Sequence, residues 1–142
     1  MSNFVIYTAS AGSGKTYTLV REFLYKCFIN GKYLSHKNLL AVTFTNKAAY
    51  EMRKRVISTL FAFTQKEKEP LFTYFQKRLN CTEEELEKKS NTLLSNILHD
   101  YTNLSISTID KFSYKIIRDF SYELNLNYNF EVEIDDSKFS RD

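Results

Sequence analysis

An α/β layer, a mainly parallel sheet flanked by helices, is the fold class this sequence predicts. Short apolar and β-branched runs at 4–8, 39–44 and 104–108 read as strands. Segments with a helical period lie between them, and strands alternating with helices build a parallel sheet. One Pro and three Gly in 142 residues argue against a loop-rich β-sandwich.

The first run, FVIYT at 4–8, precedes a Gly-containing turn and reads as a buried strand. Residues 15–29 follow a helical period that places Val20, Phe23, Leu24, Cys27 and Phe28 on one face, with Gly31 as the stop signal. LLAVTF at 39–44 is again strand-like. Asn46 can cap the next helix, on which Met52, Val56, Leu60 and Phe63 recur every three or four residues. The polar stretch TQKEKE at 64–69 reads as a loop ending at Pro70, and 71–79 as a short helix. Thr82 with Glu85 forms a capping box, and Glu83 and Glu84 sit in the first turn, where the helix dipole favours acids. Leu86, Leu93, Leu94, Ile97, Leu98 and Tyr101 continue that helix.

LSIST at 104–108 alternates as a third strand does. Phe112, Ile116, Ile117, Phe120 and Leu124 mark an amphipathic helix after it, and FEVEI at 130–134 alternates as a half-buried strand.

Composition narrows the class further. The apolar fraction is 43% and the charged fraction 26%, ordinary for a globular protein and unlike a disordered one. No apolar run approaches the roughly 18 residues of a membrane helix, and MSNFVIY does not read as a secretory signal. Cys27 and Cys81 lie far apart without CxxC spacing and read as reduced thiols of a cytoplasmic protein, Cys27 in the core. His36 and His99 are isolated and read as structural. The net charge of +3 is unevenly spread: residues 131–142 carry five acids and two bases, so the remainder carries +6. Lys47, Arg53, Lys54, Arg55, Lys66 and Lys68 form a basic stretch, which suits either a solvated helix face or a nucleic-acid contact.

The chemistry concentrates at ASAGSGKT, residues 9–16, between the first strand and the first helix. Its GKT core and spacing fit a phosphate-binding Walker A loop, with Ala9 in place of the usual first Gly. In such a loop the backbone from Ala9 through Ser10, Ala11, Gly12, Ser13 and Gly14 turns its N–H groups inward, toward phosphate oxygens held at the helix N-terminus. Lys15 reaches the β- and γ-phosphates as a compact charge, and the Thr16 hydroxyl ligates Mg²⁺. ATP and Mg²⁺ are the expected cofactors, with Lys15 and Thr16 the catalytic contacts.

The second strand runs into AVTFTNKAAYEMRKRV at 41–56. ASAGSGKT followed by AVTFTNKAAYEM resembles motifs I and Ia of the UvrD/Rep-type superfamily 1 DNA helicases. The Ala-first loop looks most like the RecB/AddA branch. ISTIDKFSYKIIRDF at 106–120 resembles the same family's next motif. The resemblance spans residues 4–63 and 104–124 in the family's order. It implies the N-terminal part of domain 1A, an incomplete RecA-like P-loop NTPase domain, covering 1–142. The parent it implies couples ATP hydrolysis to 3′-to-5′ movement on single-stranded DNA in recombination and repair. Its partners are single-stranded DNA, the parent's remaining domains and a nuclease subunit.

On the residues alone, Phe44 lies where a strand of an open α/β sheet meets its ligand. An exposed aromatic there can stack on a base, with Thr45, Asn46 and Lys47 holding phosphates; equally, Phe44 can be core. The resemblance places Phe44, Thr45 and Asn46 on the single-stranded DNA track. Ala48, Ala49 and Met52 read as helix–sheet packing. Thr108 and Asp110 can each be a helix cap, and the resemblance implies a DNA contact for Thr108. Asp110 stands where many relatives carry His, and the adjacent Lys111 can offset its charge.

Hydrolysis also needs an acid for Mg²⁺ and a group that positions water. No Walker B run is present; LSISTID ending at Asp110 and FEVEIDD ending at Asp135 and Asp136 only imitate one. The second motor domain is absent too. The expectation is a piece that binds nucleotide without hydrolysing it and self-associates through an uncovered apolar face. A small P-loop kinase and a non-catalytic nucleotide- and DNA-binding module are the rival readings.

Overall fold

The computed structural model describes residues 5–7, 14–29, 35–67 and 69–124. Its elements are α1 (Lys15–Ile29), β1 (Ala41–Thr43), α2 (Asn46–Thr64), α3 (Pro70–Leu79), α4 (Glu83–His99), β2 (Ile106–Thr108) and α5 (Ile109–Asp119). The 3₁₀ turns Ser35–Asn38 and Tyr101–Asn103 lead toward β1 and β2. The architecture is α/β: β1 and β2 pair in parallel, Ala41 opposite Ile106 and Thr43 opposite Thr108, with helices around them.

The helices form where the apolar period demands. α1 buries Val20, Phe23, Leu24, Cys27 and Phe28, the stripe expected. α2 buries Met52, Val56, Leu60 and Phe63, the last three with no exposure at all. Burying each such side chain contributes about 1.5–3 kcal/mol. α3 starts at Pro70, whose missing N–H costs nothing at a first-turn position, and ends at Asn80 in the left-handed region (φ 47°). The capping box that opens α4 is complete: Thr82 Oγ1 accepts from the Glu85 N–H at 3.2 Å, and Glu85 Oε2 accepts from the Thr82 N–H at 3.0 Å.

α2 packs along α4, and the rings of α1, α2 and α3 close the centre. Phe63 meets Phe72 and Phe75 edge-on at 5.4 and 5.7 Å, and Phe28 meets Phe75 at 5.4 Å. Edge-to-face contact matches the ring quadrupoles and holds three helices in register. On the rim of this core Arg78 lies over the Tyr25 ring at 4.2 Å, tying α3 to α1.

Several expectations are corrected. Val5, Ile6 and Tyr7 are exposed and in no strand, so a buried strand over 4–8 is not met there. Among the described residues only β1 and β2 pair, leaving no covered sheet position to bury that run. The strand at 39–44 contracts to 41–43. The cap of α2 is Thr45, not Asn46: Thr45 is extended and its Oγ1 accepts from the Ala48 N–H at 3.1 Å. α4 stops at His99, so Tyr101 falls in the 3₁₀ turn, and Leu98 faces solvent. α5 ends at Asp119, and Phe120 and Leu124 lie beyond it in exposed turns; the helix is amphipathic but buries none of its residues. Gly31, Lys68 and FEVEI at 130–134 with Asp135 and Asp136 lie outside the described residues.

Candidate functional site

Parallel pairing places the C-terminal ends of β1 and β2 side by side, and both strands run straight into helices there. Thr43 pairs with Thr108 in the last register position. Thr45 and Thr108 are matching caps: each is extended, and each hydroxyl accepts from the N–H three residues on, Ala48 at 3.1 Å and Lys111 at 3.3 Å. Thr43 Oγ1 also donates to the Thr45 carbonyl at 3.1 Å, tightening the turn between strand and helix. The N-termini of α2 and α5 therefore share one edge of the sheet, and their uncompensated N–H groups favour anions there.

Phe44 projects from this edge, 87% exposed, between Thr43 and the Thr45 cap. A ring so exposed buries little of its own apolar area, so packing does not account for its position. Asn46 and Lys47 are exposed on the first turn of α2, while Ala49 and Met52 are buried behind them. Asp110 is exposed in the first turn of α5; Thr108 is only 4% exposed and sits behind it. Phe44, Thr45, Asn46, Lys47, Thr108 and Asp110 thus fall on one edge.

Of the phosphate-loop residues, Ala9, Ser10, Ala11, Gly12 and Ser13 lie outside the described residues. Gly14 is described at φ +78°, a conformation that residues with a Cβ rarely adopt. Its carbonyl accepts the Thr18 N–H at 2.9 Å, so α1 begins at once with Lys15 and Thr16 in its first turn. No acid stands in that turn to compete with a bound anion.

The basic stretch divides in structure. Arg53 turns inward, Lys66 pairs with Glu87 at 3.1 Å, and Lys54 stays in solvent. Lys54 joins Tyr50, Ile57, Phe61 and Tyr101 around a shallow depression of about 360 Å³ on the outer face of α2. The signal for it in the sequence was the helical spacing of Tyr50, Lys54, Ile57 and Phe61. Tyr101 arrives only through the fold.

Residues 2–140 match the UvrD/REP helicase N-terminal domain. The chain belongs to that family. Its curated relatives carry the name of ATP-dependent helicase/nuclease subunits of the AddA type. One from Lactobacillus johnsonii is 35% identical over 134 residues, a match that covers 94% of this chain and 9% of the relative. A second, from Anoxybacillus flavithermus, is 32% identical over 117 residues, covering 82% of this chain and 8% of the relative. A third, from Streptococcus pyogenes, is 30% identical over 120 residues, with 84% and 8% covered. The chain therefore spans less than a tenth of the length of these relatives. No solved structure matches it. In this UvrD/REP N-terminal domain no described helix is long and apolar enough to cross a membrane.

Proposed function

We propose that this chain is the amino-terminal, ATP-binding part of domain 1A of an AddA-like DNA helicase, with a RecA-like P-loop core. The parent hydrolyses ATP to move 3′-to-5′ along single-stranded DNA in the cytoplasm, in recombination and repair. The observation that carries this reading is the shared edge. Two capped helix N-termini and an 87% exposed Phe44 meet where an open α/β sheet binds its ligands.

Each residue has a task in this reading. Residues 9–16 cradle the triphosphate, with Lys15 against the β- and γ-phosphates and Thr16 supplying a hydroxyl to Mg²⁺. When bound, the metal neutralises charge on the transferring phosphate. The positive φ of Gly14 and the acid-free first turn of α1 fit such a ligand. Phe44 stacks on a base, Thr45 and Asn46 hold the backbone, and Lys47 adds charge. The Thr45 and Thr108 hydroxyls accept from backbone N–H groups and keep their own protons to donate. Asp110, beside Lys111, faces the same strand of DNA.

The parent's further domains and a nuclease subunit complete the machine. This piece lacks a Walker B acid and an arginine finger, so it binds nucleotide without turning it over. It self-associates through the open edge at Val42 and the exposed Val5 and Ile6. Light scattering that shows a monomer at high concentration rules this out.

Phosphate release from MgATP, with and without single-stranded DNA, tests the assignment on this chain and on Lys15→Ala. Nucleotide binding that Lys15→Ala weakens, with no turnover in either protein, is the expected result. DNA-stimulated turnover abolished by Lys15→Ala would place the missing carboxylate inside these residues. Turnover that needs a nucleoside acceptor and ignores DNA would favour a small kinase instead.

A further inference from the structure

A cavity of about 410 Å³ lies between α5 and the sheet. It opens toward residues 37–40 and 102–105, which precede β1 and β2, so it faces away from the Phe44 edge. Its wall combines two chemistries. Leu40, Phe112 and Ile116 are apolar, whereas Lys37, Arg53, Lys111 and Lys115 are cationic, against Asp119 alone.

Two of these cations are already engaged. Lys37 pairs with Asp100, and Arg53 donates to the Ile106 carbonyl. Lys111 and Lys115, one turn apart on α5, have no ion pair among the described residues, and neither does Asp119. The apolar residues here are as unspent as the charges, since α5 buries none of its own side chains.

We propose that the acidic segment of this same chain, Phe130–Asp136, closes this cavity, with its carboxylates paired to Lys111 and Lys115. Its composition complements both parts of the wall. FEVEIDD alternates Phe130, Val132 and Ile134 with Glu131 and Glu133 and then adds Asp135 and Asp136. An extended segment sends alternate side chains to opposite sides, so three apolar residues turn toward Phe112 and Ile116 while carboxylates stay at the lysine rim.

The reach suffices. α5 has 11 residues and is about 16 Å long. Residues 125–129 follow the last described position and, extended, span roughly 17 Å, enough to return along α5 to Lys111. A tether this short gives an effective concentration on the order of millimolar, well above that of any free anion of similar affinity. The occupant also has a consequence for the proposed DNA contact. A filled cavity takes no polyanion, so nucleic acid is left to the opposite, Phe44 edge.

Zero-length carbodiimide cross-linking of the full 142-residue chain at low protein concentration, followed by peptide mapping, tests this. The expected result is amide links in the monomer band from Lys111 or Lys115 to Glu131, Glu133, Asp135 or Asp136. They should exceed links from Lys47, Lys54, Lys88 and Lys89 and fall several-fold between low salt and about 1 M salt. Lys111→Glu with Lys115→Glu should remove them, and adding Glu131→Lys and Glu133→Lys should restore links between the same four positions.

Links confined to a dimer band would assign the cavity to a second copy and overturn the proposal. So would links spread evenly over the surface lysines, a charge swap that restores nothing, or a single-stranded oligonucleotide that displaces the segment from Lys111 and Lys115. Should the charge reversals fail to fold by circular dichroism, the ranking of sites and the salt series on the unaltered chain still decide.

Discussion

Arg53 of α2 donates from Nε to the main-chain carbonyl of Ile106 in β2, 2.8 Å away and 53 positions along the chain. Ala41 N–H bonds the Ser105 carbonyl, so neighbouring Ile106 turns its own carbonyl away from β1, toward the open side of β2. Arg53 satisfies an acceptor that has no strand beside it, and its guanidinium also lies 6.0 Å from the Tyr101 ring centroid. Arg53→Met should therefore cost about 1–3 kcal/mol, the range for stranding a buried acceptor. Urea unfolding measures this; a midpoint unchanged by the substitution would show that water replaces the guanidinium.

Phe44→Ala should separate binding from stability. The ring is 87% exposed, so the urea midpoint should stay within about 0.5 kcal/mol of the unaltered chain. Affinity for single-stranded DNA should fall by about 1–3 kcal/mol, the worth of one stacked base. Fluorescence anisotropy with a labelled oligonucleotide reads the second quantity, and equal affinities would remove Phe44 from the track.

Thr82→Ala should destabilise the domain by about 1 kcal/mol, because both halves of the capping box depend on that residue. Thr82→Ser keeps the acceptor and should recover most of the loss. Thermal unfolding of the pair checks it, and equal effects from both changes would mean that the methyl group, not the oxygen, matters.

Stability should fall on the acid side of neutrality through His36. The imidazole is fully buried with neither nitrogen hydrogen-bonded, and burial lowers its pKa, against the pull of Asp100. A folded value below the unfolded one means that the unfolded chain takes up the proton first. The contribution is thus intact above about 6.5 and is lost progressively as pH drops below that, down to the folded value. Asp100, held low chiefly by its hydrogen bond from Lys37, adds a further loss at still lower pH, as its carboxylate protonates. Urea midpoints from pH 8 to 5 should show the first decline, and His36→Phe should flatten it. An unchanged slope in that variant would move the effect elsewhere.

Much of the architecture was legible because helix-forming pattern is local. The burial of Val20, Phe23, Leu24, Cys27 and Phe28 follows from spacing alone, as does that of Met52, Val56, Leu60 and Phe63. The capping box at Thr82 and the start of α3 at Pro70 needed no partner from elsewhere in the chain. Phosphate-loop chemistry was equally legible, since glycines, Lys15 and Thr16 act within eight consecutive residues.

Pattern misled where the outcome depends on a neighbour. Val5 and Ile6 have strand-forming side chains, but a strand needs another beside it, and a one-dimensional pattern does not say whether one is present. The apolar stripe of α5 has the same defect: period 3.6 shows that a face wants covering and not what covers it. Either Thr45 or Asn46 can cap a helix, and the backbone angles chose Thr45.

The sequence by itself determined the helices, the alternation of strand and helix, and the residues fit to hold phosphate. Only the tertiary structure decided that the caps Thr45 and Thr108 share an edge with Phe44, that Arg53 belongs to the sheet and not to a basic surface, and that Lys111 and Lys115 line a cavity. The reason is physical. Helix periodicity and capping operate over three or four residues, within reach of a reading along the chain. Strand pairing, cation placement and cavities join positions some 50–70 residues apart, and their cost in chain entropy is met only by the assembled core.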